Sequence, residues 1–106
     1  MNENLKLTDV SEFKKRFVYK IESGDDIYSL ARRFHTTVTA IIADNALTSS
    51  PEKGELIVIE KIDGEEYIVK PTDDINTISR GDGSRAFEIL RKNKTDVIYA
   101  GQTLYL

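Results

Sequence analysis

The sequence predicts an α+β fold built from two similar small units, each with the order strand, helix, helix, strand. Three observations support this prediction. The chain matches itself when it is shifted along its own length, the matched segments alternate β-rich and helical patterns, and the composition is that of a globular protein, with 40% hydrophobic and 31% charged residues. A chain of 106 residues has room for one ordinary domain or two very small ones.

The internal repeat is the observation on which the other predictions depend. Residues 19–45 align with residues 67–93 without a gap, and seven of the 27 pairs are identical. Random matching would give about one or two identities. The identical pairs are Tyr19/Tyr67, Asp25/Asp73, Asp26/Asp74, Ile27/Ile75, Arg32/Arg80, Ile41/Ile89 and Asn45/Asn93. The repeat divides the chain into an N-terminal extension at residues 1–18, unit one at residues 19–60 and unit two at residues 66–106.

Predicted strands begin and end each unit. The first strands are expected at residues 19–21 and 67–69, which are β-rich or alternate apolar and polar side chains. The last strands are expected at residues 56–59 and 103–106. We expect the two strands of each unit to form a two-stranded antiparallel sheet that packs against the two helices.

Two short helices are predicted in the middle of each unit. The first helix follows an Asp-Asp pair, at residues 25–26 and again at residues 73–74. An aspartate at this position caps a helix, because its carboxylate accepts backbone N–H groups that have no partner within the helix. The second helices are predicted to begin after Thr37 and Ser84 and to end at Asn45 and Asn93.

The segment outside the repeats has a helical pattern of its own. Val10, Phe13 and Phe17 are spaced as on one face of a helix, and Thr8 or Asp9 would cap it. This segment is expected either to dock on unit one or to stay loose and serve a partner.

The connection between the units allows two interpretations. Asp63-Gly64 lies between two β-rich segments, which is a strong signal for a tight hairpin turn. Such a turn would pair residues 57–62 with residues 65–70 and would join the units rigidly, with the helix pairs on opposite faces. The alternative is a flexible linker at residues 61–65.

Charge and composition exclude several classes of function. The 15 basic and 18 acidic residues give a net charge of −3, which argues against nucleic acid as a partner. The absence of cysteine excludes a disulfide scaffold or a thiolate metal site, and no cofactor or metal is indicated. The longest apolar run, residues 56–59, is too short to span a membrane. Residues 1–20 lack the apolar stretch of a secretory signal, and Met1 favours a chain that is not a fragment.

The ordered motifs of both units resemble the LysM domain, a small carbohydrate-binding module. Unit one contains Tyr19-Lys20-Ile21, Ser23-Gly24-Asp25-Asp26-Ile27, Leu30-Ala31-Arg32-Arg33-Phe34, Ile41-Ile42 and Asn45. Unit two contains Tyr67-Ile68-Val69, Asp73-Asp74-Ile75, Ile89-Leu90, Asn93 and Gly101-Gln102-Thr103-Leu104. Unit two resembles a degenerate repeat, because Thr72 replaces the loop glycine and Asp82 replaces the helix phenylalanine. Gly81 and Gly83 should also shorten its first helix, since glycine costs about 1 kcal/mol relative to alanine inside a helix.

The resemblance implies that two loops in each unit bind polymers of N-acetylglucosamine, such as peptidoglycan or chitin, largely through backbone groups. The implied contacts of unit one are Ser23, Gly24, Asp25, Asp26, Ile27, Tyr28, Asn45, Ala46, Leu47 and Thr48. The weaker site of unit two would use Thr72, Asp73, Asp74, Ile75, Asn93, Lys94, Thr95 and Asp96. In unit one, Ile27 and Leu47 would contact the acetamido methyl group, and Tyr28 would stack on a sugar ring.

Two functions are therefore open. The first is non-catalytic binding of a cell-wall glycan, and the second is a structural adaptor in an assembly such as a spore coat or a phage baseplate. Both place the protein at a cell wall, a spore surface or a phage structure after synthesis in the cytoplasm. We do not expect an enzyme, because 106 residues leave no room for a hydrolase domain and the adjacent Asp25 and Asp26 would diverge on a helix rather than converge on one bond.

Overall fold

A computed structural model describes residues 15–106 and contains two successive βααβ units. Unit one consists of β1 (Arg16–Lys20), α1 (Ile27–Arg33), α2 (Val38–Asn45) and β2 (Leu56–Glu60). Unit two consists of β3 (Glu66–Ile68), α3 (Ile75–Ser79), α4 (Gly83–Lys92) and β4 (Thr103–Tyr105). β1 pairs with β2 and β3 pairs with β4, both antiparallel, which confirms the predicted α+β fold class. None of the helices in residues 15–106 is long and apolar enough to cross a membrane.

The first strand begins earlier than the repeat predicted. β1 begins at Arg16, and Phe17 lies within it opposite Ile59, so the prediction that places Phe17 on a helix is wrong. The ring of Phe17 packs edge-on against Phe34 at 5.0 Å between ring centroids, and this contact favours the strand. The other residues of the predicted N-terminal helix, Val10 and Phe13 among them, lie outside the described residues.

Each unit buries its own small core between its sheet and its helices. The buried residues that form the core cluster of unit one are Ile21, Leu30, Ala31, Phe34, Ile41, Ile57 and Ile59. Those of unit two are Val69, Ile78, Ile89 and Leu104. The core cluster of unit two is the smaller of the two, so unit two buries less apolar surface of its own.

The repeated asparagines hold the last strand of each unit against its second helix. The Nδ2 group of Asn45 donates to the carbonyls of Ile41 at 2.9 Å and Val58 at 2.8 Å, and its Oδ1 accepts the N–H of Val58 at 2.7 Å. Asn93 makes the same set of bonds to α4 and to Tyr105, at 2.8 to 3.0 Å. The side chain thus explains why the two units share an asparagine at the end of the second helix.

The helices of unit two differ from those of unit one in length. α3 ends at Ser79, as the following glycines predicted, and is shorter than α1. The predicted cap of α4 is wrong, because the helix begins at Gly83 and its cap is Asp82, which accepts the N–H of Arg85 at 3.2 Å. An aspartate one residue ahead of the helix is already in place to accept this bond, so Ser84 becomes part of the first turn.

The predicted hairpin between the units is absent. β2 and β3 belong to separate sheets, and no backbone ladder joins residues 57–62 to residues 65–70. The prediction of a rigid hairpin between the units is therefore wrong. Gly64 has a φ of +125°, and a Cβ there would collide with the carbonyl oxygen of Leu106. A glycine is therefore required at this position by a close backbone approach rather than by a hairpin turn.

The linker instead folds into a contact between the two units. Ile62 donates its N–H to the carbonyl of His35 at 2.8 Å, and its own carbonyl lies 2.7 Å from the Nδ1 atom of His35. Its side chain is buried with Ala40 of unit one and Tyr105 of unit two. Burying an isoleucine is worth about 1.5–3 kcal/mol, which a pairing with the exposed Glu65 would not supply. The imidazole of His35 also lies against the ring of Tyr105, with 4.2 Å between ring centroids.

Candidate functional site

A tyrosine–aspartate contact shapes the first loop of each unit. The hydroxyl of Tyr19 donates to Asp25 at 2.7 Å, and the same carboxylate oxygen accepts a backbone N–H of the loop at 2.7 Å. In unit two, Tyr67 donates to Asp73, which accepts the N–H of Lys70 at 2.9 Å. The repeated tyrosines therefore join the first strand to the first loop, and their rings pack against the cores.

These contacts shift the pKa values of the groups that make them. Burial, followed by the hydrogen bond to Asp25, raises the pKa of Tyr19. The hydrogen bond to Asp73 raises the pKa of Tyr67, and the same bond is the largest cause that lowers the pKa of Asp73. A carboxyl group with a lowered pKa stays ionised at neutral pH, which is unsuited to a general acid.

Asp26 and Asp74 cap the first helices, as predicted. Asp26 accepts the N–H of Ser29 at 2.9 Å, and this bond is the largest cause that lowers the pKa of Asp26. Asp74 accepts the N–H of Thr77 at 2.9 Å, and the hydroxyl of Thr77 accepts the N–H of Asp74 at 2.9 Å in return. The Asp-Asp pairs therefore fix the conformation of the first loop and the start of the first helix in each unit.

The two loops of unit one, residues 23–28 and 45–48, rest on the same core. Ile27 and Leu47, one from each loop, are half-buried against it. Gly24 has a φ of +89°, and no atom lies within 4 Å of the position that a Cβ would occupy. Tyr28 is 71% exposed at the start of α1. The two loops thus contribute an open backbone, two half-buried apolar side chains and an exposed aromatic ring.

The remaining predicted contacts of unit one divide between solvent and framework. Ser23, Ala46 and Thr48 are exposed. Asn45 is half-buried, and its amide is bonded to the backbone of Ile41 and Val58.

The second loop of unit two, residues 93–96, is held against unit one. The carbonyl of Asn93 accepts the hydroxyls of both Thr37 and Thr39, each at 2.9 Å. Lys94 forms an ion pair with Asp44 on α2. The prediction that Asn93 contacts a glycan is therefore corrected, because the residue is 0% exposed and its amide and carbonyl are already bonded.

The other predicted contacts of unit two have mixed exposure. Thr72, Asp74, Lys94 and Asp96 are exposed, and Asp73, Ile75 and Thr95 are half-buried. Thr72 does not share the positive φ of Gly24, so the first loops of the two units differ in backbone conformation as well as in sequence. Within residues 15–106, no group of three or more His, Asp or Glu side chains could hold a metal ion.

Sequence reasoning missed the residues that join the units. Thr37 caps α2, as predicted, and its hydroxyl also donates to the carbonyl of Asn93 in unit two. The internal alignment contains one indication of this contact. Thr39 aligns with Phe87, a much larger side chain on α4 that is 64% exposed. Small side chains on the face of α2 that meets unit two permit the close approach.

Comparison with known proteins identifies one family. The LysM domain model matches residues 19–51. No curated protein matches the chain. The crystal structure of the Bacillus cereus spore cortex-lytic enzyme SleL is 26% identical over 88% of this chain and 22% of that chain, with a TM-score of 0.43. The Bacillus megaterium QM B1551 enzyme SleL is 29% identical over 87% of this chain and 22% of that chain, with a TM-score of 0.41.

The chain spans 22% of the length of each of these enzymes. The family match lies wholly within unit one. The match covers the last two residues of β1, both helices and both candidate loops of that unit, and it ends before β2. A LysM domain is thus found at residues 19–51.

Proposed function

We propose that the chain binds N-acetylglucosamine-containing glycans, of the peptidoglycan or chitin type, through the two loops of unit one and without catalysis. The observation that carries the proposal is the LysM match, which includes both loops. Backbone groups beside Gly24 would bind the acetamido group, and Ile27 and Leu47 would receive its methyl group. Tyr28 would stack on the next sugar ring.

Unit two is, in this proposal, a degenerate LysM repeat that supports unit one. Its strand and helix order, its Tyr67–Asp73 contact and its Asn93 bonds are those of unit one. Its second loop is engaged with Thr37 and Thr39, so it would bind glycan weakly or not at all. A single shallow site has modest affinity, and attachment to a cell wall or spore surface would depend on many sites along a polymer.

A surface on unit two favours the second candidate function, an adaptor in a protein assembly. Phe87 is 64% exposed and Val97 is 56% exposed, and both line one open depression with Leu90. A cluster of exposed apolar side chains is typical of a surface that binds another protein.

Sedimentation with insoluble peptidoglycan and with chitin separates the two candidates. We expect the full chain to sediment with at least one polymer, and Tyr28→Ala to reduce the bound fraction. Asn76→Ala is the matched control, since Asn76 occupies the same position in unit two and should leave binding unchanged. A chain that stays in the supernatant with both polymers contradicts glycan binding and leaves the adaptor as the better proposal.

A further inference from the structure

A groove between the two units is lined by side chains from both of them. It has a volume of about 340 Å³ and runs between the start of α1 and α2 on one side and the region around β4 on the other. Small-molecule sites have volumes of about 300–1,000 Å³, so one or two sugar rings fit. Tyr28 lines this groove and also belongs to the first candidate loop of unit one, so the groove adjoins that loop at this residue.

The groove contains aromatic and hydroxyl groups in the combination that sugars require. Tyr28 and Tyr99, which are 71% and 57% exposed, both line it, one from each unit. Arg32, Glu66 and Thr103 lie among its other polar lining groups, whereas Thr37, Thr39 and Gln102 are already bonded within the protein. Sugars present apolar C–H faces to aromatic rings and hydroxyl groups to polar side chains, so both parts of such a ligand find partners.

Charge and an unpartnered hydroxyl narrow the class of ligand. The charged side chains that line the groove are Arg32 and Glu66, one of each sign, which favours an uncharged ligand over a phosphate chain. Thr36 also lines the groove and is 2% exposed, and its hydroxyl has no hydrogen-bond partner among residues 15–106. A buried hydroxyl without a partner is unfavourable, and a polar group of a ligand would supply one.

We propose that this groove is a second saccharide subsite, which receives the next sugars of an N-acetylglucosamine chain bound at the loops of unit one. The inference rests on the proposed function, because it extends the same ligand from Tyr28 towards Tyr99. The contact between the units then has a direct role in binding, since the subsite exists only where the two units meet. The chain would bind long oligomers better than short ones.

Calorimetric titration of the full chain with the trimer and the hexamer of β-1,4-linked N-acetylglucosamine tests the inference. We expect the wild type to bind the hexamer more tightly, and Tyr99→Ala to weaken hexamer binding by about threefold to tenfold, the worth of one aromatic contact, with the trimer unchanged. Thr36→Val should weaken the hexamer in the same way without lowering the unfolding midpoint, because it removes an unpartnered hydroxyl. Phe87→Ala, an exposed aromatic outside the groove, is the matched control and should change neither affinity.

The possible failures are distinguishable. If the trimer binds but the wild type has no preference for the hexamer, or if Tyr99→Ala and Thr36→Val keep the full preference, the subsite is wrong and the proposed function stands. If neither oligomer binds the wild type, the proposed function is wrong and the subsite falls with it.

Discussion

Unit one and unit two share a framework but differ in what their loops are free to do. In both, a tyrosine–aspartate contact shapes the first loop and an asparagine amide joins the second helix to the last strand. In unit one, residues 45–48 begin with a half-buried asparagine, and Ala46 and Thr48 are exposed on either side of the half-buried Leu47. In unit two, the equivalent loop begins with a buried asparagine whose carbonyl is bonded to unit one. The identical positions of the repeat thus maintain the fold of each unit. The contact between the units determines which second loop remains free to bind a ligand.

The largest expected difference between the units concerns the shared asparagine. Asn93→Ala leaves buried backbone groups of Tyr105 without partners, so we expect it to lower the free energy of unfolding by about 3 kcal/mol. Asn45→Ala should cost about 1 kcal/mol, because its site is half-buried and water can replace part of the amide. Urea denaturation measures both values. Equal losses, or a larger loss for Asn45→Ala, would contradict the comparison.

The next effect concerns the contact that Ile62 makes with both units. Ile62→Ala removes a buried side chain between Ala40 and Tyr105 and should cost about 2 kcal/mol. It should also separate the unfolding of the two units, because unit two has the smaller core. Ile68→Ala, at a residue that is 50% exposed, is the control and should change stability little. A single unfolding transition with an unchanged midpoint for Ile62→Ala would show that the contact contributes nothing.

The element order within each unit could be predicted from the sequence, because its signals are local. The Asp26 and Asp74 caps, the Thr37 cap, the strands and the short α3 follow from side-chain chemistry and spacing within a few residues. The joint could not be predicted. Asp63-Gly64 has the local chemistry of a hairpin, but the burial of Ile62 against a distant tyrosine outweighs it.

The candidate site was predictable in part for the same reason. The loops of unit one follow from the repeat and from the family resemblance, whereas the occupation of the Asn93 carbonyl depends on how the units pack. No local sequence pattern predicts a role for Thr36 or Tyr99, because the groove that they line is formed by both units.

A smaller effect is expected on the free energy of unfolding at acidic pH. The pKa of Asp73 is lowered in the folded protein, first by the hydroxyl of Tyr67, so the folded state binds this proton less readily than the unfolded state. The resulting stability is present above the unfolded pKa of about 3.9 and is lost as the pH falls through the folded pKa. Asp73→Asn and Tyr67→Phe should therefore both flatten the pH dependence of the unfolding free energy below about pH 4. Curves parallel to that of the wild type would contradict the assignment.

The smallest expected effect is that of giving unit two the first loop of unit one. The double variant Thr72→Gly, Asn76→Tyr restores the glycine and the tyrosine, but the second loop remains held by Thr37, Thr39 and Asp44. We expect calorimetry with the trimer to report one site per chain, as in the wild type. Two sites per chain would show that the first loop alone determines binding.

The most direct test of the central claim is an NMR titration of the isotope-labelled full chain with the N-acetylglucosamine trimer. The account predicts that the amide signals of residues 23–28 and 45–48 shift, while those of residues 72–76 and 93–96 stay in place. Shifts in residues 72–76 and 93–96 with residues 23–28 unmoved would contradict it, because the docked unit would then be the one that binds.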